Sequence, residues 1–159
     1  MPHLRPIDPA DVPAVLELNE ADVHLLAPMD EERLTELLGW AERADVVDVH
    51  GVVAGFVLTI RPGSDYDSEN YRWFTERYGD TFGYLDRVVL GPAFRRQGLG
   101  GLIYDAVEAD AGAHGRLALE VNSRPANEPS LAFHAARGFT VVGERVEPGK
   151  TVAMMVKEV

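Results

Sequence analysis

The chain has no cysteine, which removes a disulfide framework, a thiol nucleophile and thiolate metal ligation. Basic residues are scarce. Only 15 Lys and Arg stand against 26 Asp and Glu, and the formal net charge of −11 repels polyphosphate backbones and leaves no basic face for nucleic acid. Long apolar runs are missing too: the most apolar uncharged stretch, residues 49–60, is too short to cross a bilayer, and the first residues hold no signal-type apolar segment. The expectation is therefore a soluble cytoplasmic protein with neither nucleic-acid nor membrane partners. No stretch is biased enough in Gly, Ser or Pro to be an interdomain linker, and no repeat period is found. His3, His24, His50, His114 and His134 are scattered without metal-ligand spacing, so no metal is expected.

What is present fits one domain over residues 1–159, with 46% hydrophobic residues, enough to bury about 70% of the surface of the unfolded chain. Asp8 and Asp11 stand where N-caps belong and Val12, Val15 and Leu16 recur at helical spacing, predicting a helix over 9–19. A second helix follows Pro28, with Leu34, Leu37, Leu38 and Ala41 on one stripe. Residues 46–49 and 52–60 flank His50-Gly51 as an antiparallel hairpin. Residues 61–81 read as a loop plus a short helix. A strand over 82–90, a helix over 98–111 and a strand over 116–121 make a βαβ unit, and a helix over 130–137 ending at Gly138 precedes two closing strands around Pro148-Gly149. The fold class is α/β, with a mixed sheet that is antiparallel early and parallel where the βαβ unit lies.

Between the 82–90 strand and its helix lies Gly91-Pro-Ala-Phe-Arg-Arg-Gln-Gly-Leu-Gly-Gly101. A glycine-punctuated turn that opens a helix offers unpaired N–H groups and the positive end of the helix dipole, which together bind phosphate oxygens. Gly98 and Gly100 let a diphosphate approach the backbone, and Arg95 and Arg96 add charge. No Lys-Ser/Thr pair follows, so this is not a P-loop, and Ile103 replaces the last glycine of a dinucleotide fingerprint. The alternative is a tight strand-to-helix turn with no ligand.

The run Arg95-Arg96-Gln97-Gly98-Leu99-Gly100 resembles the acetyl-CoA loop, Arg/Gln-x-x-Gly-x-Gly/Ala, of the GNAT (GCN5-related) N-acetyltransferases. Residues 84–90 before it, then Leu119-Glu120-Val121-Asn122, Asn127 and Phe133-His134-Ala-Ala-Arg-Gly-Phe139, resemble that family's later segments in order and spacing. The resemblance implies a mostly antiparallel central sheet with helices on both faces, splayed between its two parallel strands, with the pantetheine arm of acetyl-CoA in the gap. Backbone groups of Val88 and Leu90 would pair with the arm. Gln97, Gly98, Leu99, Gly100 and Gly101 would hold the pyrophosphate, and Asn127 would sit beside the arm. The implied activity is acetyl-CoA-dependent transfer of an acetyl group to a primary amine, by direct attack on the thioester, with acetyl-CoA as co-substrate. The alternative is a non-catalytic acyl-CoA-binding or sensing domain.

An ammonium must lose a proton before it attacks, so a carboxylate in the cleft is the expected base. Strand alternation puts Glu120 among otherwise buried residues, and it matches a glutamate that serves as base in members of that family acetylating protein N-termini. The competing role is an ion pair. Asp86 is the second candidate, against a pairing with Arg5 or another base. His134 occupies the position where the family commonly places a tyrosine that protonates the departing thiolate; an imidazolium there would donate a proton, or the ring simply packs. The acceptor is expected to be a small-molecule or peptide amine, with Asp65, Asp67 and Glu69 drawing in a cation and Tyr71, Trp73 and Phe74 walling the pocket, unless they form an acidic loop over core aromatics. A homodimer through edge pairing or strand exchange near the C-terminus is common among similar proteins, and nothing in the last strand compels it.

Overall fold

In the computed structural model, which describes residues 1–159, side chains close most of the helix starts. Asp8 accepts from the Ala10 amide at 3.0 Å and Asp11 accepts from the Asp8 amide at 2.8 Å, fixing the 3-10 turn Pro9–Asp11 that leads into α1 (Val12–Ala21). Asp30 caps α2 (Glu31–Trp40) through the Arg33 amide at 2.7 Å, with Glu31 and Glu32 set against the positive helix end. Ser68 caps α3 (Glu69–Tyr78), and Asn127 caps α5 (Glu128–Ala136). By contrast α4 (Leu99–Ala111) begins on Gly98, at φ +79°, with no side-chain cap.

The seven strands are β1 (His3–Pro6), β2 (Ala41–Val49), β3 (Val52–Ile60), β4 (Gly83–Leu90), β5 (Arg116–Arg124), β6 (Thr140–Glu147) and β7 (Lys150–Glu158), in the order β1-β2-β3-β4-β5-β7-β6. Every neighbouring pair is antiparallel except β4 with β5. The first hairpin turns through His50 and Gly51, both at positive φ, as a tight two-residue connection between twisted strands requires. On one face of the sheet Val15, Leu34, Leu37, Tyr71 and Phe74 of α1, α2 and α3 pack on Phe56, Leu58 and Tyr84. On the other, Leu99, Ile103, Val107 and Ala111 of α4 pack on Leu85, Leu117, Leu119 and Met155.

One strand is added to the expected elements and two expectations need correction. Residues 3–6 form a strand that four residues ending in proline give no periodicity to reveal; it exists because β2 offers it an edge. Ala41, placed on the second helix's apolar stripe, is already extended (φ −69°, ψ 140°) and opens β2. The last helix starts at Glu128, two residues before the expected start, because Asn127 supplies the cap.

Two irregularities position the site. Strands β4 and β5 pair only at Gly83 with Leu117 and at Tyr84 with Ala118, and then diverge with no ladder between them. Strand β4 also carries a bulge: adjacent Leu58 and Thr59 of β3 face Arg87 and Leu85, leaving Asp86 as an extra residue. Asp86 and Arg87 in consequence both reach toward the α1–α3 side, where Asp86 meets Tyr66 and Arg87 meets Asn19.

Candidate active site

Where β4 and β5 part, a cleft of about 200 Å³ opens. Leu85, Asp86, Arg87 and Val88 line it from β4, and Leu119, Glu120, Val121 and Asn122 line it from β5. Asp22, Leu25 and Leu26 border it after α1, Asn70 borders it from α3, and Asn127, Ser130 and His134 from the α5 side. Of the sequence candidates, Glu120, Asp86, His134, Val88 and Asn127 thus meet in one cavity.

Glu120 projects to the side of β5 away from Leu119 and Val121, as strand alternation dictates. The Tyr84 hydroxyl, reaching over from β4, donates to both its carboxylate oxygens at 2.8 and 2.7 Å. Burial pushes its pKa up from 4.5 to about 7; the Tyr84 hydrogen bond opposes the rise and the nearby Asp86 charge adds to it. A carboxylate that gains and loses its proton near neutrality suits general-base work.

Asp86 is fully engaged: one oxygen accepts from the Tyr66 hydroxyl, the other from Arg87 Nε at 2.8 Å. The alternative of a pairing with Arg5 or another base is met by Arg87, while Arg5 itself holds Asp11 of the turn before α1 and Asp48 of the neighbouring strand β2. The bulge brings Arg87 to Asp86, and consecutive residues of a regular strand would point apart. Arg87 Nη1 also donates to Asn19 Oδ1 at 3.1 Å and to the Ala27 carbonyl at 3.2 Å, tying the α1–α2 connection to the cleft.

His134 is 5% exposed. The Ser130 carbonyl, 2.7 Å from Nδ1, can only accept, so Nδ1 carries the proton and Nε2 accepts from the Tyr104 hydroxyl at 2.6 Å. Burial lowers its pKa, and Arg137 does so further against the pull of the Ser130 carbonyl. The ring is therefore neutral, with the Tyr104 hydroxyl donating to it.

The start of α4 lies at the other end of the gap. Leu102 N–H is the first amide bonded back into the helix, to the Gly98 carbonyl at 3.2 Å, which leaves the amides before it bare. A Cβ built at Gly98 or Gly101 would meet no atom within 4 Å, so internal packing does not demand glycine at Gly101 and the surface there is open to a ligand. Arg95 reaches Asp22 at 3.3 Å and the Leu90 carbonyl at 3.2 Å, Gln97 bonds the Ala93 carbonyl, and Arg96 is exposed at φ +61°.

The acidic, aromatic segment behaves as the alternative reading had it. Tyr71 and Phe74 belong to the core, Asp67 is held by Arg33 and Glu69 by Arg145, and none of the six residues proposed for the acceptor pocket borders the cleft. Asn70, between them, does. Tyr84, Arg87, Tyr104 and Asn70 were not singled out from sequence, because their positions depend on the bulge and on cross-element contacts.

A family model described as the acetyltransferase (GNAT) family matches residues 12–139. No curated protein sequence matches. Among solved structures, Ard1 of Thermoplasma volcanium is 18% identical with a TM-score of 0.79, the match covering 99% of this chain and 97% of that one. A ribosomal-protein alanine N-acetyltransferase from Escherichia coli is 18% identical with a TM-score of 0.70, covering 100% and 94%. The yncA structure from Salmonella typhimurium, solved with its cofactor acetyl-CoA, is 23% identical with a TM-score of 0.71, covering 99% and 94%. At these identities the structures attest the shared fold.

Proposed function

This chain belongs to the acetyltransferase (GNAT) family, and from that premise we propose that it transfers an acetyl group from acetyl-CoA to a primary amine by direct attack on the thioester. The observation that carries the reading is the divergence of β4 and β5 just past Tyr84 and Ala118, with Glu120 on its wall and bare amides at the start of α4. The neighbour solved with acetyl-CoA has the same fold.

The residues fit the co-substrate. Unladdered strand edges at Val88 and Leu90 can pair with an amide-bearing arm, and Asn127 borders the same gap. The amides of Leu99, Gly100 and Gly101, with Arg95, Arg96 and Gln97 around them, can take the pyrophosphate. Gly98 and Gly101 leave the approach clear. When bound, acetyl-CoA supplies an activated acyl thioester.

The chain's own residues do the rest. Glu120 takes the proton from the incoming ammonium, and Tyr84 fixes the carboxylate's orientation while doing so. Asp86, held by Tyr66 and Arg87, is fixed in place by one hydrogen bond to each oxygen and contributes its field. The Tyr104–His134 pair closes the cleft wall on the α4–α5 side and contributes less, because a thiol of pKa about 8.5 leaves readily near neutrality. No protein nucleophile enters, and proximity provides much of the acceleration.

The test is thiol release from acetyl-CoA over a panel of amines. Turnover by the native chain, lost in Glu120→Gln with acetyl-CoA binding retained, supports the proposal. Acetyl-CoA binding without turnover on any amine favours the sensing role, and no binding at all overturns both.

A further inference from the structure

Arg87 is 6% exposed, an unusual depth for an arginine. Its Nε and Nη1 are taken by Asp86, Asn19 and the Ala27 carbonyl, while Nη2 makes no hydrogen bond within the protein. The one buried side-chain polar atom without a partner is Glu147 Oε2, so Arg87 Nη2 reaches accessible space, and Arg87 borders the cleft. A guanidinium clamped on its other sides and presenting its last donors to a cavity is built to receive an acceptor group, and a carboxylate matches it best.

The second cation on the cleft is Lys150. Its Nζ stands 3.7 Å from Glu147 Oε2, beyond hydrogen-bond reach, and has no other partner in the protein. The carboxylates around the cavity are Asp22, Asp86 and Glu120. Asp22 is set against Arg95 and Asp86 against Arg87. Lys150 is set against Glu147 at 3.7 Å, and what remains are Glu120, which shares its charge with a proton near neutral pH, and the unused Nη2 donors of Arg87. That arrangement sets an acid beside the free donors of a cation and matches a molecule carrying both signs. The cavity, about 200 Å³ in volume, brings these groups to one opening where the reacting end of an acceptor can reach them together.

Resting on the acetyltransferase reading, we propose that the acceptor is a small zwitterion, a free amino acid in chemical class, whose carboxylate binds Arg87 Nη2 with Lys150 at the rim and whose amine faces Glu120. A peptide N-terminus would present a neutral amide where Arg87 asks for an anion, and a polyamine would present a second cation.

The experiment measures kcat/KM by thiol release for the common amino acids, each against its own C-terminal amide. At least one amino acid is expected to exceed its amide by about tenfold or more, the loss of one charge-assisted contact. Arg87→Lys and Lys150→Met should each lower that acid-to-amide ratio at least fivefold. Should Arg87→Lys fail to fold, as its melting curve would report, Lys150→Met on the rim carries the test. Amides used as well as the acids, a ratio unmoved in the folded variants, or turnover confined to amines without a carboxylate overturns the proposal while leaving the acetyltransferase reading intact. Calorimetry that detects no acetyl-CoA binding fails the reading beneath it.

Discussion

The two ends of the cleft are built by opposite means. At the α4 end the proposed pyrophosphate site is made of consecutive residues, Arg95 to Gly101, whose backbone amides are exposed because nothing in the sequence caps the helix. At the acceptor end the polar and charged groups come from scattered elements: Glu120 from β5, Tyr84, Asp86 and Arg87 from β4, Tyr66 from the loop before α3, Asn70 from α3 and Lys150 from β7. The first end consists of main chain, open to solvent and indifferent to which protein surrounds it. The second works through burial, which moves the Glu120 pKa and would be lost if any one wall were removed. A shared carrier suits the local device, and a particular acceptor requires the assembled one.

The largest expected effect separates the ends outright. Glu120→Gln should lower kcat/KM by about a hundredfold or more while leaving acetyl-CoA affinity within a small factor of native, measured by thiol release and calorimetry. In the native chain kcat/KM should rise with pH through about 7 as Glu120 loses its proton, and Glu120→Gln should abolish that limb. The mirror-image variant is Gly101→Leu. A Cβ there meets no atom within 4 Å and the residue lies in the first turn of a helix, so melting temperature should hold or rise, yet acetyl-CoA affinity should fall by about tenfold as the approach to the amides is filled.

Stability offers a third contrast. The folded pKa of Glu120 lies above its unfolded value, so between 4.5 and about 7 the native state holds the extra proton and stability falls as pH rises. Glu120→Gln removes that cost. It should stabilise the fold by up to about 3 kcal/mol at pH 8 and by almost nothing at pH 4, in paired denaturation curves. A smaller effect belongs to Tyr104→Phe, which leaves His134 Nε2 without its donor: about 1 kcal/mol of stability lost, and turnover reduced far less than by Glu120→Gln. The smallest is Arg96→Ala, an exposed charge whose removal should weaken acetyl-CoA binding by only a few-fold, and less at high salt.

The same contrast governs what the sequence disclosed. The glycine turn between 91 and 101 was legible because it is made of neighbours in the chain, and the strands and helices were legible where apolar residues recur at the period of their element. Glu120 could be found by asking which residue breaks the apolar pattern of β5. Arg87 could not, because its direction depends on the bulge at Asp86, and a bulge is a property of pairing with β3. That Asp86 pairs with a base was legible, but which base was not: β1, unseen in the sequence, carries Arg5 to Asp48 and Asp11, and the bulge brings Arg87 instead. The aromatic segment was legible as core because Tyr71 and Phe74 stand at helical spacing, while Asn70 beside them, which borders the cleft, carries no such signal.

The claim on which the rest depends is that the uncapped start of α4 receives the anionic part of the acyl carrier. Backbone amide resonances followed by NMR during titration with acetyl-CoA test it directly. The account predicts saturable shifts largest at Leu99, Gly100 and Gly101, with smaller ones at Val88 and Leu90. Shifts that saturate elsewhere on the sheet, or a spectrum unmoved at millimolar acetyl-CoA, would contradict it.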